Sequence, residues 1–195
     1  MSPTPSKTKL IQRRYWFVAL AIVAVMATVL LLMGRNPICP CGTVKFWVSD
    51  VNGPENSQHI ADWYAPSHII HGFLFYLFGW WLLGRRTQPG HRLILATCIE
   101  AVWELVENSQ WIINRYREAT IALGYNGDSV LNSISDVAWM MLGFGIARRL
   151  PAWGTVALAV AFELFTLIMI RDNLTLNVIM LLAPNDAIRA WQAGG

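Results

Sequence analysis

Charge is what this chain has least of. Of its 195 residues only 14% are charged, 55% are hydrophobic, and the mean hydropathy is +0.41. Soluble domains carry about a quarter charged residues, so this balance excludes an ordinary soluble fold and indicates membrane spans. A basic stripe is also missing. The 15 Lys and Arg residues sit beside apolar runs and the net charge is only +3, which argues against a nucleic-acid partner. Cysteine is scarce as well, with three in all. That excludes a disulfide-dense scaffold. Cys39 and Cys41 form an isolated Cys-x-Cys with no second pair. Metal ligation, a local disulfide and pairing between chains all remain open for them. Cys98 reads as a packing residue. Internal repeats and low-complexity segments are absent.

Five apolar runs are present: Tyr15–Met33, Pro66–Gly84, Leu93–Ile113, Ser129–Ala147 and Trp153–Ile170. Each is near the ~20 residues needed to cross a bilayer core. A signal peptide is the competing reading of the first. The segment after Met33, Gly-Arg-Asn-Pro-Ile-Cys, has no small-x-small cleavage site, and Ile38 is too bulky for a lipoprotein motif before Cys39. A retained anchor helix is therefore expected. The apolar stretch Leu174–Ala183 is too short to cross and is expected at the interface. The ten Trp residues suit interfacial belts or helix packing.

The expected fold is all-α: an integral membrane bundle of about five transmembrane helices with a short interfacial C-terminal helix. It divides into a cytoplasmic basic tail (1–14), an anchor helix (15–33), a periplasmic loop holding Cys-x-Cys (34–65), a four-helix membrane core with a polar pocket (66–173) and an interfacial segment (174–195). With the N-terminus inside, nine basic residues face the cytoplasm (Lys7, Lys9, Arg13, Arg14, Arg85, Arg86, Arg92, Arg148 and Arg149) and six face outward. This bias predicts an N-inside, C-outside protein of the bacterial inner membrane.

Ionisable residues interrupt these spans at helical spacing, and all fall toward the outer ends. His68 and His71 open the second span. Glu100, Glu104 and Glu107 close the third. Asp128, Asn132 and Asp136 open the fourth, and Glu163 lies in the fifth. Residues three or four apart share a helix face. Charge in hydrocarbon is costly, so such residues are functional candidates. His and carboxylates are natural ligands for zinc or another divalent metal. In this reading His68, His71 and Asp128 hold a metal. Glu104, Glu107, Asp136 and Asn132 supply general-base and oxyanion chemistry. Arg115, Arg117 and Arg171 at the rim bind a phosphate or carboxylate. His71, Glu104 and Asn132 should then meet within ~10 Å.

Each feature also has a structural reading. His-x-x-His near a helix start is often interfacial. The glutamates pair with Arg115 and Arg117. Asp128 or Ser129 serves as an N-cap, and Asn132, Ser133 and Ser135 join helices by hydrogen bonds.

Blocks Cys39–Gly42, Glu55–Trp63, Ser67–Gly72, Glu107–Ser109, Arg115–Thr120, Gly127–Asp136 and Arg171–Asn177 resemble an uncharacterised family of bacterial multi-pass inner-membrane proteins, known only as a domain of unknown function. The resemblance covers about Cys39 to Pro184. It implies plasma-membrane location and no assigned activity. The His, Glu and Asn/Asp pattern is also loosely similar to VanZ-like membrane proteins, a similarity that transfers no catalytic residue.

Three functions follow as expectations. The first is a site for a lipid-linked or periplasmic substrate, with metal-assisted hydrolysis as its chemistry. The second is a non-enzymatic protein binding an amphipathic ligand or protein partner through the same pocket. The third is a proton-coupled carrier, against which the apolar inner halves of the spans count.

Overall fold

The computed structural model describes residues 10–84, 87–120 and 124–194. Lys7, Lys9, Arg85 and Arg86, four of the nine residues assigned to the inner side, lie outside the described residues.

The described chain forms helices α1 (Arg13–Leu32), α2 (Ala65–Leu83), α3 (Pro89–Glu107), α4 (Gln110–Ala119), α5 (Val130–Ala147), α6 (Ala152–Ile170), α7 (Leu174–Leu182) and α8 (Asp186–Gln192). Among the described residues there is no sheet, only one isolated bridge between Trp47 and Ala61. Three helices, α1, α5 and α6, are long and apolar enough to cross a membrane. α2 and α3 match α6 in length at 19 residues each. Their apolar character is broken by His68 and His71 in one and by Arg92, Glu100, Glu104 and Glu107 in the other.

The third apolar run does not continue to Ile113 as expected. α3 ends at Glu107, and the chain turns at Asn108 and Ser109. The Ser109 hydroxyl accepts from the Ile112 N–H and starts α4 as a separate short helix. The C-terminal stretch likewise forms two short helices, α7 and α8, where one was expected.

Burial sorts the helices. α5 is central and buries nine residues, including Asn132, Ser133, Asp136, Met140 and Phe144. α1 buries one stripe, Tyr15, Ala19, Met26 and Leu30, while Phe17, Leu20 and Val25 on its other faces stay exposed. α6 buries only Thr166. A helix apolar all round with so little protein cover suits a lipid environment.

Two glycines set the α2–α5 crossing. A Cβ on Gly72 would run into the Met140 carbonyl and the Phe144 N–H, and one on Gly143 would strike the Ile69 carbonyl. Backbone therefore lies on backbone, the close approach that small residues permit in membrane helix pairs. The crossing sets His68 on α2 against Asp136 on α5.

The loop over residues 33–64 roofs this crossing. The first N–H groups of a helix lack partners within it. Here Val130 and Leu131 donate to the Asn36 and Pro37 carbonyls at 2.8 and 3.1 Å. Ser129 Oγ donates to the Gln58 carbonyl, Asn132 Nδ2 to the His59 carbonyl and Trp139 Nε1 to the Ile60 carbonyl, each at 2.9 Å.

Candidate functional site

Ser129, not Asp128, caps α5: its hydroxyl accepts from the Asn132 N–H at 3.1 Å. Asp128 is thereby free for other contacts. Its Oδ2 accepts from Asn108 Nδ2 at 2.7 Å, its Oδ1 from the Tyr125 hydroxyl at 2.9 Å, and its own N–H donates to Asn108 Oδ1 at 2.7 Å. Asn108 thus ties the end of α3 to the start of α5. Burial pushes the Asp128 carboxyl up to about 6.

The end of α3 and the starts of α2 and α5 now meet. A ring nitrogen facing a carboxylate must carry the proton, so His68 Nδ1–H donates to Glu100 Oε1 at 2.7 Å. His71 Nδ1–H points at the same carboxylate, 3.2 and 3.1 Å from its two oxygens. This leaves the Nε2 lone pair of His68 available, 3.7 Å from Asp136 Oδ1. Glu104 is fully buried, and among the described residues neither of its oxygens has a hydrogen-bond partner. Its nearest ring nitrogen is His68 Nδ1, at 3.8 Å.

Three overlapping triads result: His68, His71 and Glu100; His68, Glu104 and Asp136; and Glu104, Glu107 and Asp128. Within each triad the potential ligand atoms lie within 4.8 Å of one another. Glu104 belongs to two of them. A buried carboxylate with two empty oxygens, surrounded by further carboxylates and one available imidazole, lacks a positive partner, and a divalent cation fits that requirement.

The triads floor a cavity of about 600 Å³. His68, His71, Glu107, Asp128, Asn132 and Asp136 line its polar side, while Leu74, Phe75, Ile99 and Trp103 from α2 and α3 and Leu174, Val178 and Leu181 from α7 line its apolar side. A few convergent polar groups in an apolar cleft of this volume are usual for a small-molecule site. Three tyrosines close the rim. The Tyr116 hydroxyl lies 2.9 Å from Glu107 Oε1 and 3.0 Å from Asn177 Oδ1, and Tyr64 donates to Asp172 at 3.1 Å. Burial holds the hydroxyls of Tyr64, Tyr116 and Tyr125 well above the usual phenol range, so they remain protonated donors. Burial also raises Asp62 and Asp172.

The expected site residues therefore do not all serve together. His68, Glu104, Glu107, Asp128 and Asp136 converge. His71 and Asn132 line the same cavity, and Glu104 lies within reach of His68 and Asp136, which line it too. Asp128 lies in a different triad from the two histidines, so it does not complete one shell with them. Asn132 Nδ2 gives one of its two protons to the His59 carbonyl. The arginines hold backbone instead of a cavity ligand: Arg115 donates to the Leu181 carbonyl, Arg117 to the Tyr125 carbonyl and Arg171 to the Trp191 carbonyl. Glu163 accepts from the Leu174 and Thr175 N–H groups and starts α7. Glu100 stood in the glutamate stripe without a role, yet it orients both histidines. Asn108 and the three tyrosines carried no periodic signal, because they reach the site from turns and from α4.

Comparison with known proteins places the chain. Residues 30–194 match the family described as "Protein of unknown function (DUF2585)", and the chain belongs to that family. A UPF0314 protein of Sphingopyxis alaskensis is 56% identical over 95% of this chain and 98% of its own length. A UPF0314 protein of Agrobacterium fabrum is 58% identical over 91% of this chain and 89% of its own. One from Rhizobium etli strain CIAT 652 is 54% identical over the full length of both. These matches do not show the looser similarity to VanZ-like proteins. No solved structure matches the chain.

Proposed function

We propose that this protein is a five-span hydrolase of the bacterial inner membrane that uses bound divalent metal to cleave an ester or phosphoester in an amphipathic, lipid-linked substrate. The observation that carries this reading is the Glu104 carboxylate: fully buried, without a hydrogen bond on either oxygen among the described residues, and shared between two ligand triads beside a mostly apolar cavity. His68, Glu104 and Asp136 form one ligand set, with His68 Nε2 facing Asp136, and Glu104, Glu107 and Asp128 form a second. Glu100 holds His68 in the tautomer that presents Nε2, the outer-sphere arrangement common to metal-binding histidines. A metal so held supplies Lewis acidity and an acidified water. A carboxylate of the cluster outside the ligand set would serve as general base. Leu74, Phe75, Ile99 and Trp103 bury the apolar part of the substrate.

Metal analysis of the detergent-purified full chain is the decisive experiment. One or two ions per chain are expected, together with chelator-sensitive hydrolysis of p-nitrophenyl esters or phosphodiesters that favours long acyl chains. A metal-free, inactive preparation that stays inactive after adding zinc, manganese or iron overturns the reading. Bound metal or tight lipid binding without hydrolysis favours the amphipathic-ligand module, which the apolar wall of the cavity also suits. The topology has its own test. A periplasm-active reporter fused after Gly195 should be active and one at Gln88 silent, and the reverse pattern would place the cavity on the cytoplasmic side.

A further inference from the structure

A second cluster of reactive side chains stands outside the cavity, in the loop that roofs it. Cys39 and Cys41 are joined, two positions apart. Cys39 is buried and Cys41 is exposed. The Cys41 N–H donates to Cys39 Sγ at 3.1 Å. Cys41 Sγ lies 3.2 Å from Thr43 Oγ1, 3.9 Å from Glu55 Oε2 and 4.0 Å from His59 Nε2. The His59 side chain is almost wholly buried, and Lys45 Nζ pairs with Glu55.

The four ligand atoms of Cys39, Cys41, Glu55 and His59 also lie within 4.8 Å of one another. Two contacts argue against a metal here. The Lys45 N–H donates to His59 Nδ1 at 3.1 Å, so the ring proton sits on Nε2, which gives it to Glu55 at 2.9 Å. The nitrogen facing the sulfurs is therefore not a free ligand, and Lys45 has already neutralised the carboxylate. A mere staple is also a poor account. Disulfide stabilisation grows with the length of the loop closed, and this loop is about as short as one can be.

We propose that Cys39–Cys41 is a thiol–disulfide exchange site that acts on thiols presented to this loop. An incoming thiolate attacks the exposed Cys41 Sγ and forms a mixed disulfide with it. The Cys39–Cys41 bond breaks, and its electron pair leaves on Cys39 Sγ, where the Cys41 N–H stabilises the thiolate. A second thiol on the same partner then gives up its proton and attacks the partner's own sulfur. Cys41 is released as a thiolate 4.0 Å from His59 Nε2, whose proton is shared between Glu55 and the sulfur. The partner dithiol is oxidised to a disulfide by two electrons, and the Cys39–Cys41 pair is reduced by the same two. The reverse sequence reduces a partner disulfide. A nearby proton donor that stabilises thiolate raises the reactivity of a cysteine at neutral pH. His59 is a positioning residue here.

The test uses the full chain in detergent with Cys98→Ala, followed by alkylation and mass analysis. Wild type should equilibrate with reduced glutathione or with reduced, unfolded ribonuclease. Faster exchange with ribonuclease identifies polypeptide thiols as the partner chemistry, and faster exchange with glutathione identifies a small thiol. Cys39→Ser, which leaves Cys41 alone, should form a mixed disulfide with an aromatic disulfide probe about tenfold faster than Cys41→Ser. His59→Asn should slow wild-type exchange about tenfold at pH 7 and move its pH profile toward alkali. A pair that stays oxidised in excess dithiothreitol while the chain remains folded overturns the proposal. So does a double Cys→Ala variant whose only change is a lowered Tm with no exchange in the parent. Bound zinc that is lost from that double variant overturns it too, in favour of a metal site.

Discussion

The histidine–glutamate pairs His68–Glu100 and His59–Glu55 differ in which ring nitrogen holds the proton. At His68 the Nδ1–H donates to Glu100, and Nε2 is left open toward Asp136. At His59 the Lys45 N–H occupies Nδ1, and Nε2–H is given to Glu55. The charge balance differs in the same sense. Glu55 has Lys45 beside it, and its carboxyl is held below the ordinary range first by Lys45 and then by His59. Glu104 has only the long contact to His68. One pair is a ligand set in need of a cation, and the other is already satisfied and stands next to sulfur. Residue types alone do not separate the two; the partner of the second nitrogen does.

The largest expected effect comes from removing the open nitrogen. His68→Ala should lose bound metal, with affinity falling more than about a hundredfold, as measured by elemental analysis and competitive chelation. Retained stoichiometry would mean that the two histidine pairs do not differ as argued. Next is Glu100→Gln, which touches no proposed metal directly. It should cost about 10- to 100-fold in metal affinity by freeing the imidazole tautomer. An unchanged affinity would break the tautomer argument while leaving the ligand set standing.

A smaller effect of opposite sign is expected in the stability of the chelated protein. Glu104→Gln removes an unpaired buried carboxylate, so the metal-free variant should gain about 1–3 kcal/mol, read as a raised Tm in detergent, and should fail to gain more when metal is added. A lowered Tm would show that Glu104 is structural glue. The smallest effect is a control on the other pair. His59→Asn should leave metal affinity unchanged within about twofold and cost about 1 kcal/mol in stability for the lost Lys45 N–H contact. A drop in metal content there would erase the contrast.

Helix positions were largely legible in the sequence, because hydropathy and helix punctuation are local. Four of the five apolar runs became helices within two residues of their expected bounds. The third run did not. Trp111, Ile112 and Ile113 extended its apolar count, and nothing in hydropathy registers that Ser109 can cap a new helix. The polar stripes were legible for the same reason as the helices: period and depth follow from 1.5 Å of rise per residue.

From composition and spacing alone, the chain determined that it is helical, that its apolar faces exceed what a soluble fold can cover, and that its acids and histidines gather at one end of their helices. Only the tertiary structure decided which of those groups meet. Gly72 and Gly143 let α2 and α5 touch backbone to backbone, and that contact sets His68 against Asp136. The His59 carbonyl holds Asn132, backbone carbonyls hold the arginines, and among the described residues no donor hydrogen-bonds Glu104. Periodicity specifies the face a residue shares within its own helix. The hydrogen-bond partner that either satisfies a buried polar group or leaves it wanting comes from elsewhere in the chain, and only packing brings it there.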